Sequence, residues 1–233
     1  MPPLRKYELY LSGGGDENQS FPLDSFFFEK IPSAGNFLYI PIALRGHKLY
    51  ATAALWMKKI LAMHKREDVT FELWNSLEGK TYVDVAPFDA IYVGGGNTWS
   101  LMKEIKAANF QGVIAQFVKE KGPVYGGSAG AIIIGKRIDT HDDENIAALA
   151  EADGFGILGN YSVACHFKEE QTERFREWSL SHREPILCLP EETGLIINTS
   201  DMRCVGTKSC TIFASDGTFT NLSAGEHVTF TKE

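Results

Sequence analysis

Pro123-Val124-Tyr125-Gly126-Gly127-Ser128-Ala129-Gly130-Ala131-Ile132-Ile133-Ile134 reads as three pieces in succession: a short apolar strand, a glycine-rich turn and a helix-compatible run. Gly126, Ser128 and Gly130 make the pattern G-x-S-x-G in the strand–turn–helix context that a nucleophile elbow requires. Glycines two residues before and after the serine remove side chains that would clash in a tight, strained turn. Such a turn lifts the serine hydroxyl clear of the sheet and sets it at a helix N-terminus, where free N–H groups favour developing negative charge. The same letters also describe a plain Gly-rich loop, so the reading depends on finding partners for Ser128. A phosphate-binding loop fits less well, because no Lys-Ser/Thr pair follows the glycines.

Outward from this stretch, short apolar runs alternate with helix-like segments. Strand candidates are Glu8 to Leu11, Asn36 to Ile40, Val69 to Trp74, Asp89 to Val93, Val163 to Cys165 and Ile186 to Leu189. Between them lie Pro22 to Lys30, Ala51 to Met63, Thr98 to Ala108, Ile114 to Lys121 and Glu170 to Leu180, most with helix-forming composition. This alternation predicts an α/β fold of three layers, a mostly parallel sheet with helices on both faces. From about Thr193 onward the pattern changes to short β runs, including Leu195 to Asn198, Ser209 to Ala214 and His227 to Phe230. These are expected to be antiparallel strands extending the same sheet. No repeat or linker divides the chain, so residues 1–233 read as one domain.

Composition narrows the function classes. The 233 residues carry 23 basic and 30 acidic side chains, a net charge of −7, which disfavours nucleic acid and anionic membrane surfaces as partners. No run approaches the roughly 18 apolar residues of a membrane span. The first residues lack a signal-peptide pattern, so a cytoplasmic location is expected. Cys165, Cys188, Cys204 and Cys210 are spaced by 23, 16 and 6 residues, which contains no C-x-x-C pair. They read as buried free thiols rather than metal ligands or redox pairs. The cluster Asp139, His141, Asp142, Asp143 and Glu144 reads as a solvated acidic loop, since successive loop positions do not converge on one ion without special geometry. No metal and no cofactor are expected.

A serine nucleophile needs a base and an oxyanion hole. Val93-Gly94-Gly95-Gly96-Asn97-Thr98 is a second glycine-rich strand-to-helix junction, able to offer one bare N–H, with Ala129 offering the other. Asn97 or Thr98 would cap the helix that follows. Among six histidines, His166 stands at the end of the apolar run Tyr161 to Cys165, at the sheet edge where α/β sites form. His64 falls at a charged helix end, His47 and His182 in polar turns or helix ends, and His141 in the acidic loop. Leu189-Pro190-Glu191-Glu192-Thr193 places two carboxylates just past another strand, where one can orient an imidazole.

Together Val93-Gly94-Gly95-Gly96-Asn97-Thr98, Gly127-Ser128-Ala129-Gly130-Ala131, His166-Phe167 and Leu189-Pro190-Glu191 resemble, in order and spacing, the dipeptidase E and cyanophycinase-like family of serine peptidases. The likeness spans roughly Leu38 to Leu195. It implies a fold related to the class I glutamine amidotransferases, with serine in place of their cysteine, and cleavage of peptide bonds beside acidic residues in small peptides, at aspartyl or β-aspartyl bonds. By matching position, the resemblance makes Ser128 the nucleophile, His166 the base and Glu191 the acid. It makes Gly96, or Gly95 in its place, an oxyanion donor with Ala129. Asp143 matches a site-proximal Asp more loosely. The implied partner is a small peptide, and the chain would act as a monomer or homodimer.

One departure concerns specificity. Aspartyl dipeptidases of this kind carry a substrate-binding Arg in a Gly-Glu-Thr-Arg segment beyond the His. Here Glu169-Glu170-Gln171-Thr172-Glu173-Arg174 places Glu173 at that position and Arg174 one residue later, turned by about 100° on a helix. Two other readings share the serine motif. An α/β-hydrolase-type esterase would use Ser128, Asp201 and His227 in the order Ser, acid, His. A non-catalytic binding module would keep the glycine loops to cradle an anion without turnover.

Overall fold

The computed structural model describes residues 8–44 and 50–230. His47, considered above, lies outside the described residues. The elements in chain order are β1 (Leu9–Ser12), α1 (Phe21–Glu29), β2 (Asn36–Ile40), α2 (Tyr50–Met63), β3 (Thr70–Leu73), α3 (Tyr82–Val85) and β4 (Ala90–Val93). Then come α4 (Thr98–Ala107), α5 (Gln111–Glu120), β5 (Val124–Gly127), α6 (Ala129–Ile132), β6 (Ser162–Cys165), α7 (Thr172–His182) and β7 (Ile186–Leu189). The chain ends with β8 (Thr193–Ile197), β9 (Asp201–Gly206), β10 (Cys210–Phe213), β11 (Phe219–Leu222) and β12 (His227–Thr229).

The main sheet runs β12-β9-β8-β1-β5-β4-β2-β3. Its β1, β5, β4, β2 and β3 are parallel, and β8, β9 and β12 extend it antiparallel from the β1 edge. Side chains alternate across the sheet as the two-residue strand period requires. Leu9, Leu11, Leu38, Ile40, Ile91, Val93 and Val124 pack on one face with Leu101, Met102 and Ile105 of α4 and Ile114, Phe117 and Val118 of α5. Tyr10, Phe37, Tyr39, Tyr92 and Tyr125 pack on the other with Phe27 and Phe28 of α1 and Met57 and Ile60 of α2. The result is three layers, with an aliphatic face and an aromatic face.

The expectation that all strands join one sheet is corrected here. β6, β7, β10 and β11 form a separate sheet of order β11-β10-β7-β6, with α7 packed on it through Phe175 against Ala164, Ile186, Cys188 and Phe213. After β7 the chain turns through Pro190 and Glu192, the latter at φ 67°, and β8 crosses to pair with β1 instead of β7. β10 then returns to β7. The apolar pattern marks a segment as a strand and leaves its neighbour open, so the two sheets look alike in sequence. β11 lacks an apolar alternation, because three of its four residues face solvent.

Candidate active site

Ser128 sits between β5 and α6 with φ 49° and ψ −109°, a left-handed backbone that costs a non-glycine residue on the order of 1–3 kcal/mol. The neighbouring chain enforces it. A Cβ on Gly126 would lie 2.5 Å from Gly130 O, and one on Gly130 would lie 2.3 Å from Val93 O. The two glycines therefore let the turn close on itself and dock on the end of β4. The hydroxyl emerges at the C-terminal edge of the parallel strands, where α/β sheets place their sites.

His166 follows β6 and also has positive φ, 56°, with its N–H donating to Gly13 O at 2.9 Å. Its Nε2 lies 2.8 Å from Ser128 Oγ and its Nδ1 2.8 Å from Glu191 Oε1. A carboxylate only accepts, so Nδ1 carries the proton and Nε2 presents its lone pair to the serine hydroxyl. The hydrogen bond to His166 holds the Glu191 carboxyl below the usual carboxylate range, against an opposing desolvation, and Gln19 adds to it. Gln19 Nε2 donates to Glu191 Oε2 at 3.2 Å. Glu192 turns away to pair with Lys208 Nζ at 2.9 Å. Ser128 comes from the main sheet, and His166 and Glu191 come from the ends of β6 and β7, so the site lies where the two sheets meet.

Gly95 lies beside Ser128, with an ideal Cβ position 3.2 Å from Ser128 Cβ. Gly94 N donates to Ile40 O and Asn97 N to Ala43 O, while no acceptor among the described residues takes the N–H of Gly95, Gly96 or Ala129. Those three donors are free for an oxyanion. Asn97 caps α4, its side chain accepting from Ser100 N at 2.9 Å. The neighbouring Cys165 thiol is buried and burial pushes its pKa up, so it competes poorly as a nucleophile.

Ser128, His166, Gly95 and Gly96 line one cavity of about 480 Å³. Asp143 lines it too, pinned by Thr98, whose N–H and hydroxyl donate to Asp143 Oδ2 at 2.8 and 3.0 Å. The expected exposed acidic loop is thus strapped across the start of α4. Its His141 is a cavity-lining residue with a side chain only 8% exposed. Sequence reading missed His141 because the acidic neighbours dominate the local pattern. It also gave no role to Gly14 and Gln19, which touch His166 and Glu191; the run Ser12-Gly13-Gly14-Gly15 was their one available signal.

Arg174 does not line the cavity. It pairs with Asp142 at 2.7 Å, while Arg137 pairs with Asp139 and Arg176 with Glu173. His227 pairs with Asp201 at 2.9 Å on the β9–β12 edge, and neither lines the cavity of Ser128, so the esterase order finds no support. Among the described residues no three His, Cys, Asp or Glu gather as metal ligands, and no helix is long and apolar enough to cross a membrane.

Comparison with known proteins gives a consistent picture. The model of peptidase family S51 matches residues 9–205. A Drosophila melanogaster protein named "Probable alpha-aspartyl dipeptidase" is 27% identical over 209 residues, 83% of this chain and 82% of that protein. A Shewanella denitrificans protein named "Peptidase E" is 28% identical over 146 residues, 59% of this chain and 62% of that protein. The crystal structure of a peptidase from an acI-B1 Actinobacterium superposes with a TM-score of 0.67 at 20% identity, covering 96% of this chain and 97% of that one, and so shares the fold.

Proposed function

Since the chain belongs to peptidase family S51 and is a serine peptidase, we propose that it hydrolyses small peptides, dipeptides among them, through Ser128, His166 and Glu191. The observation that carries this reading is the continuous hydrogen-bonded line from Ser128 Oγ through the His166 ring to Glu191, with 2.8 Å at each step.

The chemistry follows from that line. His166 Nε2 takes the hydroxyl proton as Ser128 Oγ bonds to the scissile carbonyl carbon. Glu191 holds the ring in the required tautomer and stabilises the imidazolium. The negative charge that develops on the carbonyl oxygen is met by the N–H of Ala129 and that of Gly96, or of Gly95 in its place. The imidazolium gives its proton to the leaving amine, the C–N bond breaks, and an ester to Ser128 remains. Water, deprotonated by His166, then attacks that ester; the acyl C–Oγ bond breaks, His166 returns the proton to Ser128 Oγ, and the acid product leaves.

The test is Ser128→Ala assayed on a dipeptide panel beside the wild type, with a fluorophosphonate probe applied to both. Wild-type labelling at Ser128 and a fall in kcat of several orders of magnitude are expected. Full activity in Ser128→Ala protein sinks the assignment.

A further inference from the structure

The cavity beside Ser128 is built from the aromatic face of the main sheet. Tyr39, Tyr92 and Tyr125 reach it from β2, β4 and β5, Trp56 from α2, and Leu44 and Ile132 complete its apolar wall. Tyr92 and Tyr125 stack with ring centroids 4.2 Å apart and planes 10° from parallel. Burial raises the hydroxyl pKa of all three tyrosines, so they stay neutral.

Charge among the described residues of this cavity is one-sided. Asp143 is on its wall, and Asp24 lies fully buried beneath its floor, accepting from Ser20 Oγ at 2.7 Å with the Tyr125 hydroxyl facing the same carboxyl. No lysine or arginine lines it among the described residues. A substrate carboxylate entering there would lose its water and meet Asp143, and the described lining offers it no guanidinium or ammonium. An aromatic or large aliphatic side chain would meet ring faces and edges at ordinary contact distances. Gly95 lines the same cavity with its backbone against Ser128, so the acyl group that Ser128 attacks sits at the cavity mouth.

We infer that this cavity selects an uncharged aromatic or large aliphatic side chain on the residue whose carbonyl Ser128 attacks, in preference to aspartate. The inference rests on the peptidase reading above and adds the substrate class.

The experiment measures kcat/KM of the full chain on a matched series X-Leu, with X being Phe, Leu, Ala, Asp or β-linked Asp, together with fluorophosphonate labelling and the Ser128→Ala control. Phe-Leu or Leu-Leu is expected to exceed both aspartyl substrates by about 30-fold or more. Trp56→Ala is expected to narrow the Phe-Leu to Ala-Leu ratio, with circular dichroism reporting that the variant is folded. An aspartyl substrate cleaved as well as or better than Phe-Leu overturns the inference and leaves the peptidase reading standing. Labelling of Ser128 without cleavage of any member does the same. Neither labelling nor Ser128-dependent cleavage overturns both.

Discussion

The backbone of Gly14 lies directly against the imidazole of His166: a Cβ on residue 14 would sit 2.2 Å from Cε1 and 2.7 Å from Nε2. Residue 14 also has φ 103°, which side-chain-bearing residues rarely adopt. Gly14→Ala should therefore push the ring off the line between Ser128 and Glu191. Displacements of this size cost about 100-fold in rate. Dipeptide hydrolysis by Gly14→Ala protein is expected to fall by at least that factor while circular dichroism stays native. Unchanged kcat would show that the ring is not held where the serine needs it.

Gln19 supports Glu191 from the side opposite His166. Replacing it by leucine removes one hydrogen bond that keeps the Glu191 carboxyl below its ordinary range. The sign follows: the Glu191 pKa rises in the variant, so the carboxylate that orients His166 is lost at a higher pH. Gln19→Leu should lower kcat about 3- to 10-fold and move the acid limb of the kcat profile upward. Steady-state rates from pH 4 to 8 measure both, and a uniform loss with an unmoved limb would assign Gln19 a merely structural role.

Asp24 makes stability depend on pH. Burial raises its pKa to about 7 from an ordinary 3.8, with the hydrogen bond from Ser20 and the nearby Tyr125 hydroxyl opposing the shift. The folded state then holds a proton that the unfolded state has released between those values. The folded chain is thus favoured most below about pH 4 as far as this group is concerned, and that contribution is lost as pH rises through 7. The size is on the order of a few kcal/mol. Asp24→Asn should flatten the decline, unfolding at higher denaturant than wild type at pH 8 and losing most of that advantage at pH 5. Parallel urea titrations at the two pH values check it.

The Arg174–Asp142 pair is solvent-exposed, with side chains 43% and 76% accessible. Exposed pairs contribute about 0–1 kcal/mol. Arg174→Ala is expected to change KM for any small peptide by less than about threefold, as a residue outside the cavity should. A tenfold rise in KM for aspartyl substrates alone would instead make Arg174 a substrate ligand.

Most elements of the parallel half were readable because each is a short apolar run beside a periodic helix. β2 and β7 coincide with their expected ranges, and β1, β4 and β5 are within about two residues. The glycine pattern around Ser128 was readable for a local reason, since a strand–turn–helix elbow is dictated by backbone sterics within a few residues. Glu191 could be preferred over Glu192 only through the likeness to a family; in the structure the turn at Glu192 sends adjacent side chains to His166 and Lys208.

The order of residues encodes what is local: which segments are strands and where the chain turns sharply, because side-chain alternation and backbone sterics act within a few residues. That Tyr39, Tyr92 and Tyr125 share a face follows from the register of β2, β4 and β5, which pairs Tyr39 with Tyr92 and Tyr92 with Tyr125. Tertiary structure alone decided that β6 and β7 belong to a second sheet, that His141 is folded inward, that Gly14 and Gln19 support His166 and Glu191, and that Arg174 is spent on Asp142. Each of these is a contact between residues far apart in the chain. Such contacts are set by how whole elements pack and cross, and no local pattern of residue types encodes which partner an edge or a side chain will meet.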